Sequence, residues 1–231
     1  MKTCKKKLNC VLALLMFLPL LGCGKATTPA SPFPLTYSNG DYQISVTEAA
    51  PLKSPILVES EWRDASQDNL RTREDLIVKA EVTEITEYRI EYTKEITRET
   101  YGSRIVLEIL ETFFDAGQGS VREGDTITAH YEISSHWMPE ENAAVLEEGE
   151  EYYLALRDAS RSESPLGYDR FVDYIVDLPK TTDYIPRTGD LLSAEFAQLL
   201  SNNNTTSPAR TVLREGMNIE DALRLVFNEE G

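Results

Sequence analysis

A chain of 231 residues, 41% hydrophobic and 27% charged, is long enough to bury a core of its own. Its 39 Asp and Glu against 23 Lys and Arg give a net charge of −16, which repels phosphate backbones and anionic headgroups. Nucleic-acid binding and broad docking on a membrane surface are both disfavoured.

The chain opens on an address. Lys2, Lys5, Lys6 and Lys7 precede an unbroken apolar run over residues 11–21. A helix needs roughly 20 residues to cross a bilayer core, so this shorter run suits the apolar segment of a signal peptide, and no second run of spanning length occurs. Small Gly22 closes it just before Cys23. The stretch Leu20-Leu21-Gly22-Cys23 resembles the lipobox of bacterial lipoproteins. That resemblance implies cleavage between Gly22 and Cys23, diacylglycerol on the Cys23 thiol, and a protein held by lipid on a bacterial cell membrane, facing outside the cytoplasm. The alternative is a plain secretory signal with Cys23 at its end.

Cysteine usage agrees with the lipid. Cys4 and Cys10 fall inside the signal, which leaves Cys23 as the sole mature cysteine of the three. One cysteine forms no internal disulfide, and lipidation consumes the odd thiol. One acyl chain binds a membrane marginally while two hold stably, which diacylglycerol supplies. Loss of four lysines with residues 1–22 lowers Lys and Arg from 23 to 19 against 39 Asp and Glu, a net −20. Acyl chains, and not the face of the domain, would have to hold such a protein down.

Residues 23–34 follow as a tether. Small residues, threonines and three prolines there bury too little to fold, and the stretched length is roughly 30 Å. Residues 35–74 read as a hairpin and a connection. Asn39-Gly40 offers a tight turn, with Tyr42, Ile44 and Val46 alternating after it; Pro51 and Pro55 break the pattern, and residues 59–74 form a charged link with Trp62 as its large apolar anchor.

The β domain spans residues 75–178. Leu76, Val78, Ala80 and Val82 alternate with Ile77, Lys79, Glu81 and Thr83, then the phase slips by one over residues 83–85, which a bulge in a long bent strand explains. A second strand over residues 100–114 is apolar on nearly both faces. The third, residues 125–134, turns Ile127, Ala129, Tyr131 and Ile133 inward. Glu147-Glu148-Gly149-Glu150-Glu151 turns into a fourth strand at Tyr152-Tyr153-Leu154-Ala155-Leu156, and residues 171–178 make the fifth, ended by Pro179.

These signals predict a mainly β fold, a small five-stranded barrel similar to an OB-fold, with an N-terminal hairpin and one or two C-terminal helices; a β-sandwich is the alternative. The strand starts Gly124-Asp125-Thr126-Ile127 and Gly149-Glu150-Glu151-Tyr152 also resemble those of small β domains in exported proteins of Gram-positive bacteria. That resemblance covers residues 75–178 and implies a fold without a defined activity. In the appendage, residues 179–231, Ser193 can cap a helix carrying Phe196, Leu199 and Leu200. Asn218 can cap another whose Ile219, Ala222, Leu223, Val226 and Phe227 form one apolar stripe, expected to dock on the domain.

Candidate chemistry is sparse. His130, Glu132 and His136 share the outward phase of the third strand and are weak candidates for a metal site, with surface histidines as the bland alternative. No nucleophile motif of a hydrolase occurs. Glu140-Glu141 and the Glu147–Glu151 run could be paired acids or a calcium site, but they flank turns and lack the spacing that wraps calcium. Asn203 and Asn204 each begin an Asn-x-Thr glycosylation pattern, which requires a eukaryotic secretory route and so conflicts with a lipobox. Tyr88, Tyr92, Tyr101, Tyr131, Tyr152, Tyr153, Tyr168 and Tyr174 cluster on the barrel strands, half of them expected inward. The rest could offer a face to a carbohydrate.

The sequence therefore points to a membrane-anchored surface lipoprotein acting as a noncatalytic binding or assembly module at the cell envelope. It would have no cofactor, and an envelope protein or a carbohydrate is its expected ligand. Two alternatives stand beside it: an envelope enzyme using carboxylates or a His130-centred metal, and a regulator or inhibitor of an envelope enzyme.

Overall fold

The computed structural model describes residues 29–57, 75–117, 119–138, 145–176, 186–201 and 213–227. The signal segment, Gly22 and Cys23, the link over residues 59–74 with Trp62, Glu140 and Glu141, Pro179, Asn203 and Asn204 lie outside them. The described fold is mainly β. Seven strands run in the order β1 (Leu35–Asn39), β2 (Tyr42–Glu48), β3 (Leu76–Thr93), β4 (Thr97–Asp115), β5 (Thr126–Tyr131), β6 (Glu151–Asp158) and β7 (Tyr174–Val176). Two helices follow, α1 (Ala194–Ser201) and α2 (Ile219–Phe227).

All seven strands join one mixed sheet in the order β1-β2-β3-β4-β5-β7-β6, and β6 pairs again with β3. The pairings β3–β4–β5–β7–β6–β3 thus form a closed circuit, antiparallel throughout except for β5 with β7. β3 has two partners along its length besides β4. Residues Leu76 to Glu81 pair with β6, and Tyr88 to Thr93 pair with β2. Between these halves the β3–β4 register shifts at Val82/Glu84, where the alternation in the sequence slips; two more shifts lie at Ile77/Val78 and Lys79/Ala80. Each shift bends the strand, so one strand can serve the circuit and carry the hairpin.

Three apolar clusters result. The first, inside the circuit, gathers Val78, Ile105, Leu107, Ile127, Ala129 and Leu154 among others. The second lies under the helices, where Ile77, Phe113 and Tyr153 meet Phe196, Leu200 and the whole α2 stripe of Ile219, Ala222, Leu223, Val226 and Phe227. The Ser193 hydroxyl accepts from Phe196 N at 3.1 Å and Asn218 Oδ1 from Asp221 N at 3.2 Å, so both expected caps are made. Each large side chain of the stripe contributes about 1.5 to 3 kcal/mol by leaving water, enough to explain why α2 docks. The third cluster sits beneath the β1–β2 hairpin and joins Ile44, Val46, Tyr88, Ile90 and Ile175 to Phe171 and Val172.

Two strand boundaries differ from expectation. β5 ends at Tyr131 and not near Ser134, because the chain bends at Glu132 and the Ser134–Trp137 bridge turns it back. Among the described residues β7 is Tyr174–Val176, and Leu178, where the expected strand ends, lies outside them. Phe171 and Val172 precede it at the end of a 3-10 turn, Tyr168–Arg170, and drop into the third cluster instead of extending the strand.

Candidate functional site

Alternation in β5 sends Ile127, Ala129 and Tyr131 into the circuit, so Thr128 and His130 take the opposite face. That face is covered. His130 is 6% exposed, its Nδ1 is hydrogen-bonded to the Tyr88 hydroxyl, and its ring stacks on Tyr168 with centroids 4.3 Å apart. Phe33 and Phe171 close around Tyr88 at 5.4 and 5.3 Å. Gly102 belongs to the same packing, since a Cβ there would stand 2.6 Å from His130 Cε1. The expectation of a surface histidine is thus corrected: the outward phase was right, but a second layer of chain lies over it.

Burial carries His130 down to about 3 and the Tyr88 hydroxyl well above its usual range, so neither ionises near neutral pH. A histidine held neutral by burial is poorly suited to shuttling protons there. Across the β4–β5 pairing, His130 faces Arg104, which is 2% exposed and has no partner for Nε or Nη1. Burial lowers the pKa of this guanidinium, against the pull of Glu84 and Asp173.

The three residues weighed as metal ligands serve different ends. Glu132 is exposed at the bend after β5. His136 stacks on Tyr101 at 4.5 Å, donates from Nε2 to Ala50 O at 3.0 Å, and lies 3.9 Å from Glu87. Among the described residues no group of three or more His, Cys, Asp or Glu could hold a metal. The turn acids are also engaged. Arg187 takes Glu147 at 2.8 Å and Glu150 at 3.8 Å, Lys79 takes Glu151 at 3.2 Å, and Glu148 accepts from Ile85 N at 2.8 Å.

Of the eight tyrosines, Tyr88, Tyr131, Tyr152 and Tyr153 are buried, as half were expected to be. Tyr92 helps form an open hollow of about 310 Å³ at the β3–β4 tip, together with Tyr42, Lys94 and Ile96. Lys94 Nζ lies 5.6 Å from the Tyr42 ring centroid there.

A better-formed pocket of about 300 Å³ opens at one end of the circuit. β6 pairs with β3 only as far as Glu81, so beyond it Ile85 of β3, Ser103 of β4 and Tyr131 of β5 present their inner faces to this space. Two loop segments complete the wall: Pro51, Leu52 and Pro55 from one, Ile133, Ser134, Ser135 and Met138 from the other, with Val145 and Leu146 beside them. Backbone bonds Ile56 N to Ser135 O and Met138 N to Ile56 O, at 2.9 and 3.0 Å, lock the segments together. Glu87 holds the corner, accepting from Ser135 N at 2.7 Å and Ser135 Oγ at 2.6 Å.

The pocket combines apolar walls with one idle polar group. Ser103 Oγ donates to Ile133 O at 2.9 Å, and Leu52 N donates to Ser135 Oγ at 2.7 Å. Ser134 Oγ is buried with no partner. No base is bonded to it, so it is not an activated nucleophile. At the rim Leu52 is 37% exposed and Val145 49%, while Ile56 and Leu57 next to them are also open to solvent.

Sequence reasoning missed this pocket. Its signal was Leu52 between Pro51 and Pro55, with Ile56 and Leu57 after them, a stretch read above only as a break between elements. No protein-family model matches this chain, and no curated protein matches it.

Proposed function

We propose that the protein is a bacterial surface lipoprotein, anchored through lipid on Cys23, whose β domain is a noncatalytic binding module at the cell envelope. Leu20-Leu21-Gly22-Cys23 after a basic head and a short apolar run carries the anchor, because Cys23 is then the only thiol left in the mature chain. The circuit β3–β4–β5–β7–β6–β3 with its single parallel pair supports a five-stranded OB-like barrel over a sandwich, since two separate sheets would not return to the starting strand. Binding is favoured by the pocket, whose walls are largely apolar.

The anchor is tested by Cys23→Ala in a bacterial host that processes lipoproteins, followed by fractionation. The variant leaves the membrane fraction or stays uncleaved. A correctly cleaved variant that still sediments with membranes refutes the lipid on Cys23.

A further inference from the structure

We infer that the open edge of β1 is a self-association surface: β1 of a second copy of this chain pairs with it antiparallel, Tyr37 lying opposite its own counterpart. The topology leaves this edge open. β1 has β2 on one side and no strand on the other, whereas β3, β4, β5, β7 and β6 close on one another. Gly40 and Asp41 form a two-residue turn between the paired Asn39 and Tyr42, so Leu35, Tyr37 and Asn39 direct their N–H and C=O groups to β2. The backbone groups of Thr36 and Ser38 point the other way, and among the described residues no backbone bond reaches that side.

The strand is held ready for pairing. Tyr37 donates to Leu166 O and Asn39 Nδ2 donates to Pro165 O at 2.6 Å, which fixes β1 from its inner face, while Thr36 and Ser38 are exposed. Exposed edges are usually blunted by charge, proline or a bulge. From Leu35 to Asn39 β1 has neither charge nor proline, and its register with β2 is unbroken. The other open margin of the sheet differs. β4 runs past the last β5 pair at Ser103, and there Arg98 and Glu99 supply the charge that β1 lacks.

Two features select a second copy as the occupant. The first is register. With Tyr37 opposite its counterpart, Thr36 of each copy faces Ser38 of the other, and each such pair exchanges two N–H···O bonds. Every outward group from Thr36 to Ser38 is then used. Pro34, the next outward position, has no N–H, and Gly40 lies in the turn, so the pairing ends where the bonding groups end. The second feature is charge. A net charge of −16 opposes contact between copies in general, but the hairpin surface beside this seam consists of Thr36, Ser38, Gln43, Ser45 and Thr47. None of these is charged, so two copies meet without side-chain repulsion, and a basic partner strand finds no carboxylate among them. The seam joins the β4-β3-β2-β1 sheet of one copy to that of the other.

The purified chain, as its host exports it, is tested by analytical ultracentrifugation. The wild type is expected to sediment as a dimer that dissociates on dilution. Thr36→Pro removes an outward N–H from each copy and no bond to β2, which weakens the dimer about tenfold. Thr36→Glu, at the same exposed position, weakens it through charge and serves if proline disturbs the strand. Disulfide formation reads the register. Thr36→Cys mixed with Ser38→Cys links, because the Cα atoms of such a pair lie about 5.5 Å apart, whereas Gln43→Cys, one strand further in, does not link to itself. The unsubstituted chain, which keeps Cys23, is the blank. A wild type that stays monomeric at the highest attainable concentration, a dimer indifferent to both Thr36 substitutions, or self-linkage of Gln43→Cys overturns the inference. So does capture of a different protein by Thr36→Cys in cells while the purified chain remains monomeric. None of these outcomes depends on whether Cys23 carries lipid, so the anchor and the seam fail separately.

Discussion

β5 buries both of its faces, and the two are chemically unlike. Ile127, Ala129 and Tyr131 face the circuit interior among aliphatic side chains of β3, β4 and β6. Thr128 and His130 face a layer made by Phe33, the hairpin and residues 166–172, with Arg104 beside His130. Inside, burial is mostly of hydrocarbon, and the few polar groups are tyrosine hydroxyls such as that of Tyr152, which accepts from Glu147 N at 3.0 Å. Outside, burial has to be reconciled with ionisable groups. The Tyr88–His130 bond and the Thr128–Asp173 bonds, N and Oγ1 each at 2.8 Å to Asp173, do part of this. Arg104 is left without a partner for two of its nitrogens. The outer layer should therefore respond to pH in a way that the interior should not.

The largest expected response is to acid. The folded-state pKa of His130 is about 3 against an ordinary value of 6.5, so the unfolded chain takes up the proton first. Stability from this group is complete above pH 6.5 and is lost as pH falls from there toward 3, at about 1.4 kcal/mol per unit and about 4 to 5 kcal/mol in all. Urea unfolding of the wild type and of Tyr88→Phe/His130→Phe, which removes both bonded partners together, isolates the effect. The wild type loses stability more steeply between pH 6.5 and 4. Parallel curves would mean that His130 is protonated in the native state and that the outer layer is open to water.

This contrast also shows what could be read from the chain. Inward Ile127, Ala129 and Tyr131, the bulge after Val82, the hairpin and the two capped helices follow from local periodicity and local hydrogen-bonding groups, which a short window contains. The state of His130 does not. Alternation says that it shares no face with Ile127, but burial depends on what covers that face. Of the covering rings, Phe33 and Tyr168 come from segments without strand or helix periodicity, and Phe171 comes from the start of a segment that reads as strand. The pocket was hidden for the same reason: its walls come from two irregular loops that meet through backbone bonds between Ile56, Ser135 and Met138. A polar residue in a polar phase reads as surface until the second layer is known.

A smaller response tests the close fit of that layer. A methyl group at Gly102 meets His130 Cε1 at 2.6 Å and Tyr88 Oη at 3.1 Å, both on rings held from the other side by Tyr168 and Phe171. Gly102→Ala should cost about 2 kcal/mol, within the usual range for overpacking. In a His130→Ala background, where the ring is gone, the same change should cost much less, and the coupling is read from a double-mutant cycle by urea unfolding. Additive losses would place the strain in the β4 backbone instead of the ring packing.

The smallest effect is expected where intuition about buried charge suggests a large one. Arg104 is 2% exposed, pairs in register with Thr86 and His130, and leaves Nε and Nη1 unbonded. Glu84 and Asp173 attract it without providing those bonds. A desolvated cation in this state gains little, while its alkyl stem packs like a hydrocarbon. Arg104→Met retains the stem, removes the orphaned donors and should leave stability within about 1 kcal/mol of the wild type or raise it. Chemical unfolding at neutral pH decides the matter. A loss above about 2 kcal/mol would show that the attraction of Glu84 and Asp173 outweighs desolvation. The outer layer would then be held by charge as well as by its rings, and the contrast between the two faces of β5 would extend from their composition to the forces that stabilise them.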